Sequence, residues 1–206
     1  MIGETTPTRR QERHAATRQQ ILDVTWELAE EVGIASISLR EIARRVGMRQ
    51  PSLYSYFASK HDLYDAMFKQ GNDELFEMTQ AIEPSGDARD DLLRFSRMFA
   101  EFNADSAPRS QLLFLRTIPG YEPSAEAYES AVKFYDLSRD RLRALGLTKQ
   151  RQMDVWVAML GGVIQAQAAN DPGGDRWVRT IPEVVDMFLG HYLSESDANA
   201  KKGRTK

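Results

Sequence analysis

The chain has no cysteine, so neither a disulfide framework nor a thiolate metal site can be built from it. Histidine is nearly as scarce. His14, His61 and His191 stand in three separate segments, none in a metal-ligand spacing such as HExxH. No metal and no cofactor are therefore expected. A glycine-rich phosphate loop and the GxSxG turn of a serine nucleophile are also missing. Acidic neighbours such as Asp90 and Asp91 point to different sides of a helix and read as solvated surface. These gaps argue against an enzyme. No apolar run approaches the ~20 residues that a membrane-spanning helix needs, and the opening MIGETTPTRRQERH lacks the apolar stretch of a signal peptide. A cytoplasmic protein without a membrane partner is the expectation. No segment alternates apolar and polar residues as a half-buried strand does, and no internal repeat is visible. An all-α fold follows.

What is present suffices for a core. Hydrophobic residues make up 42% of the 206 and charged residues 28%, enough for one large domain or two small ones. The net charge is −3, which does not suggest a generally basic nucleic-acid binder. Its distribution differs from its total. Residues 1–60 hold nine Lys/Arg against seven Asp/Glu, whereas the remainder holds 18 against 23. A locally basic module on an acidic body suits phosphate attraction without indiscriminate binding.

The most informative stretch is Ser38–Lys60, SLREIARRVGMRQPSLYSYFASK. Leu39, Ile42, Ala43 and Val46 repeat at helical spacing, with Ser38 ahead of them and Glu41 three residues on, as a capping box requires. Gly47 then breaks the helix, and Pro51 stands where a second helix would hold its proline in the first turn. Leu53, Tyr54, Tyr56 and Phe57 make that second helix short, aromatic and amphipathic. Two short helices joined by a glycine turn form a helix-turn-helix, whose second helix enters the DNA major groove.

The surrounding chain reads as helices. Residues 1–12 are polar and are expected to be a flexible tail or a loose basic arm, with a first helix from about Arg13 to Val32 ended by Gly33. Ile34 and Ile37 would close a three-helix core with Leu39, Ile42, Val46, Leu53 and Phe57. A new helix starts at His61 and runs past Gly71, which would loosen or kink it, to about Ile82. Asp87–Ala104, a short helix opened by Pro108, residues 123–144, a helix capped by Thr148 and reaching Asn170, and a last helix from Trp177 to Leu193 follow. About nine helices result. Residues 13–60 are expected to form a helix-turn-helix DNA-binding domain, residues 61–193 a ligand-binding and dimerisation domain, and residues 194–206 a flexible tail.

VGMRQPSLYSYFASKHDL resembles the recognition-helix signature of the TetR family: a glycine turn, a leucine-tyrosine pair, phenylalanine, then Ser-Lys and leucine. Gly33, Ile34, Ser38, Leu39, Ile42 and Ala43 are similar to that family's first two helices, so the resemblance covers roughly residues 18–65. Met48 departs from the usual turn residue, and Tyr56 stands where the family often has histidine. The resemblance implies a homodimeric transcription factor, most often a repressor released from a palindromic operator by a small molecule. It implies Ser38, Ser52, Tyr54, Tyr56 and Lys60 near the phosphate backbone, and Arg49, Gln50 and Pro51 near base edges. The chemistry agrees: glutamine pairs with adenine, arginine with guanine, and a proline ring touches a thymine methyl.

The remaining expectations concern the body. Phe68, Phe95, Phe99, Phe102, Phe114, Tyr128, Trp156 and Met159 are candidates to line an apolar effector pocket, and equally candidates for core. Their aromaticity points to an apolar or aromatic effector. Ala158, Gly162, Gln165 and Ala169 lay small residues along one helix side, and Val185, Phe188, Leu189 and Tyr192 a bulky apolar side along the next. Two such pairs would form a four-helix bundle across a two-fold axis. An activator of the same fold, or a helical small-molecule binding protein with a structural N-terminal module, are the alternatives.

Overall fold

The computed structural model describes residues 8–203, with side chains for residues 8–193. The expected tails at residues 1–7 and 204–206 lie outside the described residues. Nine α-helices and two 3-10 turns are present among the described residues, and no strand. The helices are α1 (Arg9–Val32), α2 (Leu39–Val46), α3 (Gln50–Leu53), α4 (Lys60–Gln80), α5 (Ala88–Ala104), α6 (Ala107–Phe114), α7 (Ala125–Ala144), α8 (Gln150–Asn170) and α9 (Ile181–Gly203). The chain folds as two compact units: residues up to Gly71 with Pro108–Tyr128, and Asn72–Ala107 with residues from Glu129 onward. The expected division at Lys60 is not where compactness divides the chain, because the first half of α4 packs with the N-terminal helices and with α6.

In the first unit, α1 begins at Arg9, so residues 9–12 are helix rather than tail. Thr8 makes this possible. Its hydroxyl accepts from Gln11 N–H at 3.4 Å, and Gln11 Oε1 accepts from Thr8 N–H at 2.7 Å, a closed capping box. Core burial begins later, with Ile21, Leu22, Leu28 and Ala29 meeting Ile34, Ile37, Ile42, Ala43, Leu53 and Phe57. Each large side chain buried this way contributes about 1.5–3 kcal/mol. Leu39 and Val46, expected in that core, are only half-buried.

Gly47 adopts φ 78°, ψ 27°, and Met48 N–H donates to Ala43 O at 2.9 Å, so α2 ends where the glycine requires. The capping box expected at Ser38 is absent. Ser38 occupies the cap position without a side-chain cap bond, because the Glu41 carboxylate is held instead by Arg44 and Arg45. Gly71 does not break α4. A Cβ there would stand 2.9 Å from Leu113 Cδ1, so the glycine lets α6 approach closely.

The second unit has a core of Leu92, Phe95, Met153, Trp156, Leu160, Ile181, Val185 and Phe188, drawn from α5, α8 and α9. Asp87 caps α5, accepting from Arg89 N–H at 2.8 Å and Asp90 N–H at 3.2 Å. Thr148 does not cap α8. The cap position is Lys149, whose N–H donates to Gln152 Oε1 at 2.9 Å. A 3-10 turn at Val178–Thr180 precedes α9, which therefore starts later than Trp177 and continues through residues expected as tail. No helix among the described residues is long and apolar enough to cross a membrane.

Candidate nucleic-acid interface

The helix-turn-helix rests on two anchors. Leu53 and Phe57 are almost fully buried, and they press α3 and the turn after it onto α1 and α2. Arg18 reinforces the second anchor, its guanidinium carbon 4.7 Å from the Phe57 ring centre. Because these positions point inward, Arg49, Pro51, Ser52 and Tyr54 point outward, and Gln50 and Tyr56 are half-buried between them. Ser38 is exposed at the start of α2. Arg40 and Arg49 enter no ion pair among the described residues, so both cations are uncommitted. α3 spans one turn only, and the backbone tightens into 3-10 bonds after it, with Ser55 N–H donating to Ser52 O at 3.2 Å and Tyr56 N–H to Leu53 O at 2.9 Å.

The other cations are engaged. Arg45 joins α2 to α1 through both nitrogens of its fork, donating to Glu31 at 2.6 and 2.7 Å, and it also donates to Glu41 at 3.0 Å. Arg44 donates to the same Glu41 at 2.6 and 2.9 Å. Hydrogen bonds from Arg44, then Arg45, hold the Glu41 carboxyl down at about 2. Lys60 Nζ donates to Ala35 O at 3.2 Å and lies 5.4 Å over the Tyr64 ring, and burial lowers its pKa from the ordinary lysine value. To reach a phosphate it must let go of Ala35. Tyr56 stacks on His14 of α1, centroids 4.6 Å apart and planes 23° apart.

Sequence patterning missed a polar clasp in the same unit. Tyr64 O–H donates to Ile34 O at 2.9 Å, and burial pushes the phenol up to about 12. Tyr121 O–H donates to Asp65 Oδ1 at 2.9 Å, and Ser124 N–H donates to the same oxygen at 3.1 Å. Burial and then the Asp65 carboxylate raise the Tyr121 phenol. The two tyrosine rings stand 5.2 Å apart. Helical spacing exposes none of this, since Tyr121 lies in an irregular segment after the Pro119-Gly120 turn.

Beside the clasp is a cavity of about 200 Å³. Phe68, Phe114 and Tyr128 line it together with Leu112, Leu115, Arg116 and Tyr121. The other candidate effector residues lie elsewhere. Phe95, Trp156, Phe99 and Met159 belong to the core of the second unit, and Phe102 is buried in that unit. Among the described residues no three His, Asp or Glu side chains group as metal ligands do.

Residues 21–67, covering α2, α3 and the flanking halves of α1 and α4, match the family model described as "Bacterial regulatory proteins, tetR family". The HTH-type transcriptional repressor Rv1353c of Mycobacterium tuberculosis is 30% identical over 115 residues, 55% of this chain and 44% of that protein. The chain thus spans less than half the length of that relative. The tetracycline repressor protein class C of Escherichia coli is 26% identical over 162 residues, 77% of this chain and 70% of its own. The crystal structure of a tetR-family transcriptional regulator from Streptomyces coelicolor superposes with a TM-score of 0.72 at 19% identity, covering 92% of this chain and 86% of that one. The helix-turn-helix segment, residues 21–67, belongs to the TetR family of bacterial regulatory proteins.

The all-α, N-terminal helix-turn-helix architecture is the TetR-type fold. The last two helices divide into an inner and an outer side. Val185, Phe188 and Leu189 are buried in the subunit's own core, and Tyr192 is half-buried beside them. The bulky side of α9 is the side that meets α8. Ala158, Gly162, Gln165 and Ala169 do form an exposed stripe on α8. Large apolar side chains stand open beside them: Val157 at 51% exposure and, on α9, Met187 at 62%.

Proposed function

We propose that this protein is a homodimeric transcriptional repressor that holds a palindromic operator through its helix-turn-helix and lets go when a small apolar or aromatic effector binds. The observation that carries the reading is the outward stripe of α3, with Arg49 unpaired at its start and Leu53 and Phe57 fixing it from behind. In this reading Arg49, Gln50 and Pro51 meet base edges, and Ser38, Ser52, Tyr54, Tyr56 and Lys60 meet phosphates. One turn of recognition helix makes few contacts, so two half-sites ~34 Å apart are needed, which favours a two-fold dimer. The outer stripe of α8 with Val157, Met187 and Leu193 supplies an apolar face suited to it. Repression is consistent with the relatives, which are by name a transcriptional repressor and a tetracycline repressor.

Release would act through the clasp. An effector entering the cavity against Phe68 and Tyr128 presses on Tyr121, which holds Asp65 on α4. On the same helix Tyr64, next to Asp65, holds Ile34, and Lys60, about one turn earlier, holds Ala35, in the link between α1 and α2. A shift of α4 then changes the separation of the two recognition helices, so both half-sites are no longer met together. The cavity lies below the ~300 Å³ at which larger ligand sites begin, which favours a compact effector.

The test is a selection of genomic fragments on purified protein at ~100 mM salt, where phosphate contacts still hold. An inverted repeat should be enriched, and Arg49→Ala should weaken its binding by tenfold or more. Retention of no fragment at all would sink the proposal.

A further inference from the structure

The first half of α1 does nothing for the core. From Arg9 to Gln20 every residue is exposed except the half-buried Thr17, and burial starts only at Ile21. Twelve residues of open helix are worth little on their own, yet here they are capped by Thr8 and docked at two points on the far end of the recognition module. Arg18 lies over Phe57, and His14 stacks on Tyr56 one turn earlier. Residues four apart share a helix face, so Arg10 continues the same row one turn, ~6 Å, beyond His14. Arg13 stands beside it. Across residues 9–20 four arginines face a single acidic residue, Glu12. Neither Arg10 nor Arg13 enters an ion pair among the described residues. This segment also precedes the residues 21–67 that match the family model.

We propose that the exposed first half of α1 is a second DNA-contacting element, in which Arg10 and Arg13 hold duplex phosphates flanking the half-site and His14, stacked on Tyr56, sets their position. The inference rests on the DNA-binding reading above. Two features select duplex DNA as the occupant: the surface is almost purely cationic, and it is continuous with Tyr56, itself assigned to the backbone. The contact carries no sequence information, because phosphates are the same at every base pair. It lengthens the footprint and steepens the salt dependence.

The experiment compares the full-length protein with the R10A/R13A variant on the selected operator, by fluorescence anisotropy across a salt series. Two duplexes are used, one with about one helical turn of flanking DNA on each side and one trimmed to the half-sites. Each phosphate partner removed lowers the salt slope by about 0.9, so a dimer deprived of four arginines should show a slope lower by about 3 to 4. On the long duplex, R10A/R13A should bind at least tenfold more weakly at ~150 mM salt, and the trimmed duplex should abolish the difference. His14→Ala should reproduce part of this loss and His14→Phe should restore it, since the ring, not the charge, makes the stack. Helix content by circular dichroism separates a missing phosphate partner from a melted helix. An unchanged slope and affinity in R10A/R13A, with the wild type still binding, overturns this inference alone. A wild type that binds no duplex overturns the DNA-binding reading with it.

Discussion

The two compact units use aromatic side chains for opposite purposes. The second unit buries its largest ones: Phe95, Phe102, Trp156 and Phe188 are at most 2% exposed. Phe95, Phe99 and Phe134 meet one another with ring centres 5.4–6.2 Å apart, and Trp156 meets Phe188 at 4.8 Å, an interlocked interior. The first unit buries Phe57, Tyr64 and Phe68, yet leaves Tyr54 at 46% and Tyr128 at 54% exposure. Its aromatics sit beside cations or polar groups, as in the Arg18–Phe57, His14–Tyr56 and Tyr121–Asp65 contacts. The lesson is that ring type does not reveal the job. An aromatic whose neighbours are apolar holds a fold, whereas one left open among cations is available to something outside it.

The comparison can be broken most sharply at Trp156 and Tyr54. Trp156→Ala should destabilise the protein by about 3–5 kcal/mol, because a large cavity opens in a close-packed core. Denaturant unfolding measures this, and operator affinity per folded molecule should not change. Tyr54→Ala should do the reverse, leaving stability within about 0.5 kcal/mol while operator affinity falls several-fold. Equal stability losses in the two variants would erase the distinction between the units.

A smaller effect is expected at Gly71. Adding a methyl group there drives it to 2.9 Å from Leu113 Cδ1, and Leu113 also lines the cavity. Gly71→Ala should cost about 1–3 kcal/mol through overpacking, measured by thermal unfolding, and should shift Leu113 into the cavity and weaken effector binding. The smallest effect is in acid. Glu41 titrates at about 2 in the folded chain against the ordinary 4.5, so its contribution is present above pH 4.5 and lost as pH falls through about 2. Stability should therefore decline on acidification through that window and be flat in this respect between pH 6 and 8. Glu41→Gln should flatten the acid limb, followed by circular dichroism.

Much of this was legible in one dimension. Gly47, the Pro51 helix start and the inward set Ile42, Leu53 and Phe57 could be read from spacing and backbone chemistry alone, since turns and amphipathic faces are local properties. The candidate effector residues were legible only as a set of large apolar side chains. Phe68, Phe114 and Tyr128 line the cavity while Phe95, Phe99 and Trp156 fill a core, and no periodicity separates the two groups. Ser38 and Glu41 had the spacing of a capping box, but Arg44 and Arg45 compete for the carboxylate and win it.

By itself the sequence determined that the protein is helical, that it carries a helix-turn-helix, and which face of that module points outward. Those follow from residue chemistry within one or two turns of chain. Only the tertiary structure decided which side of α9 is interior, where a cavity opens, and that Tyr121 holds Asp65 across 56 residues. It also brought His14 onto Tyr56 and so turned an unpatterned basic segment into an ordered arm. Contacts between distant segments depend on how whole helices pack, and the local pattern of each helix does not specify its partner.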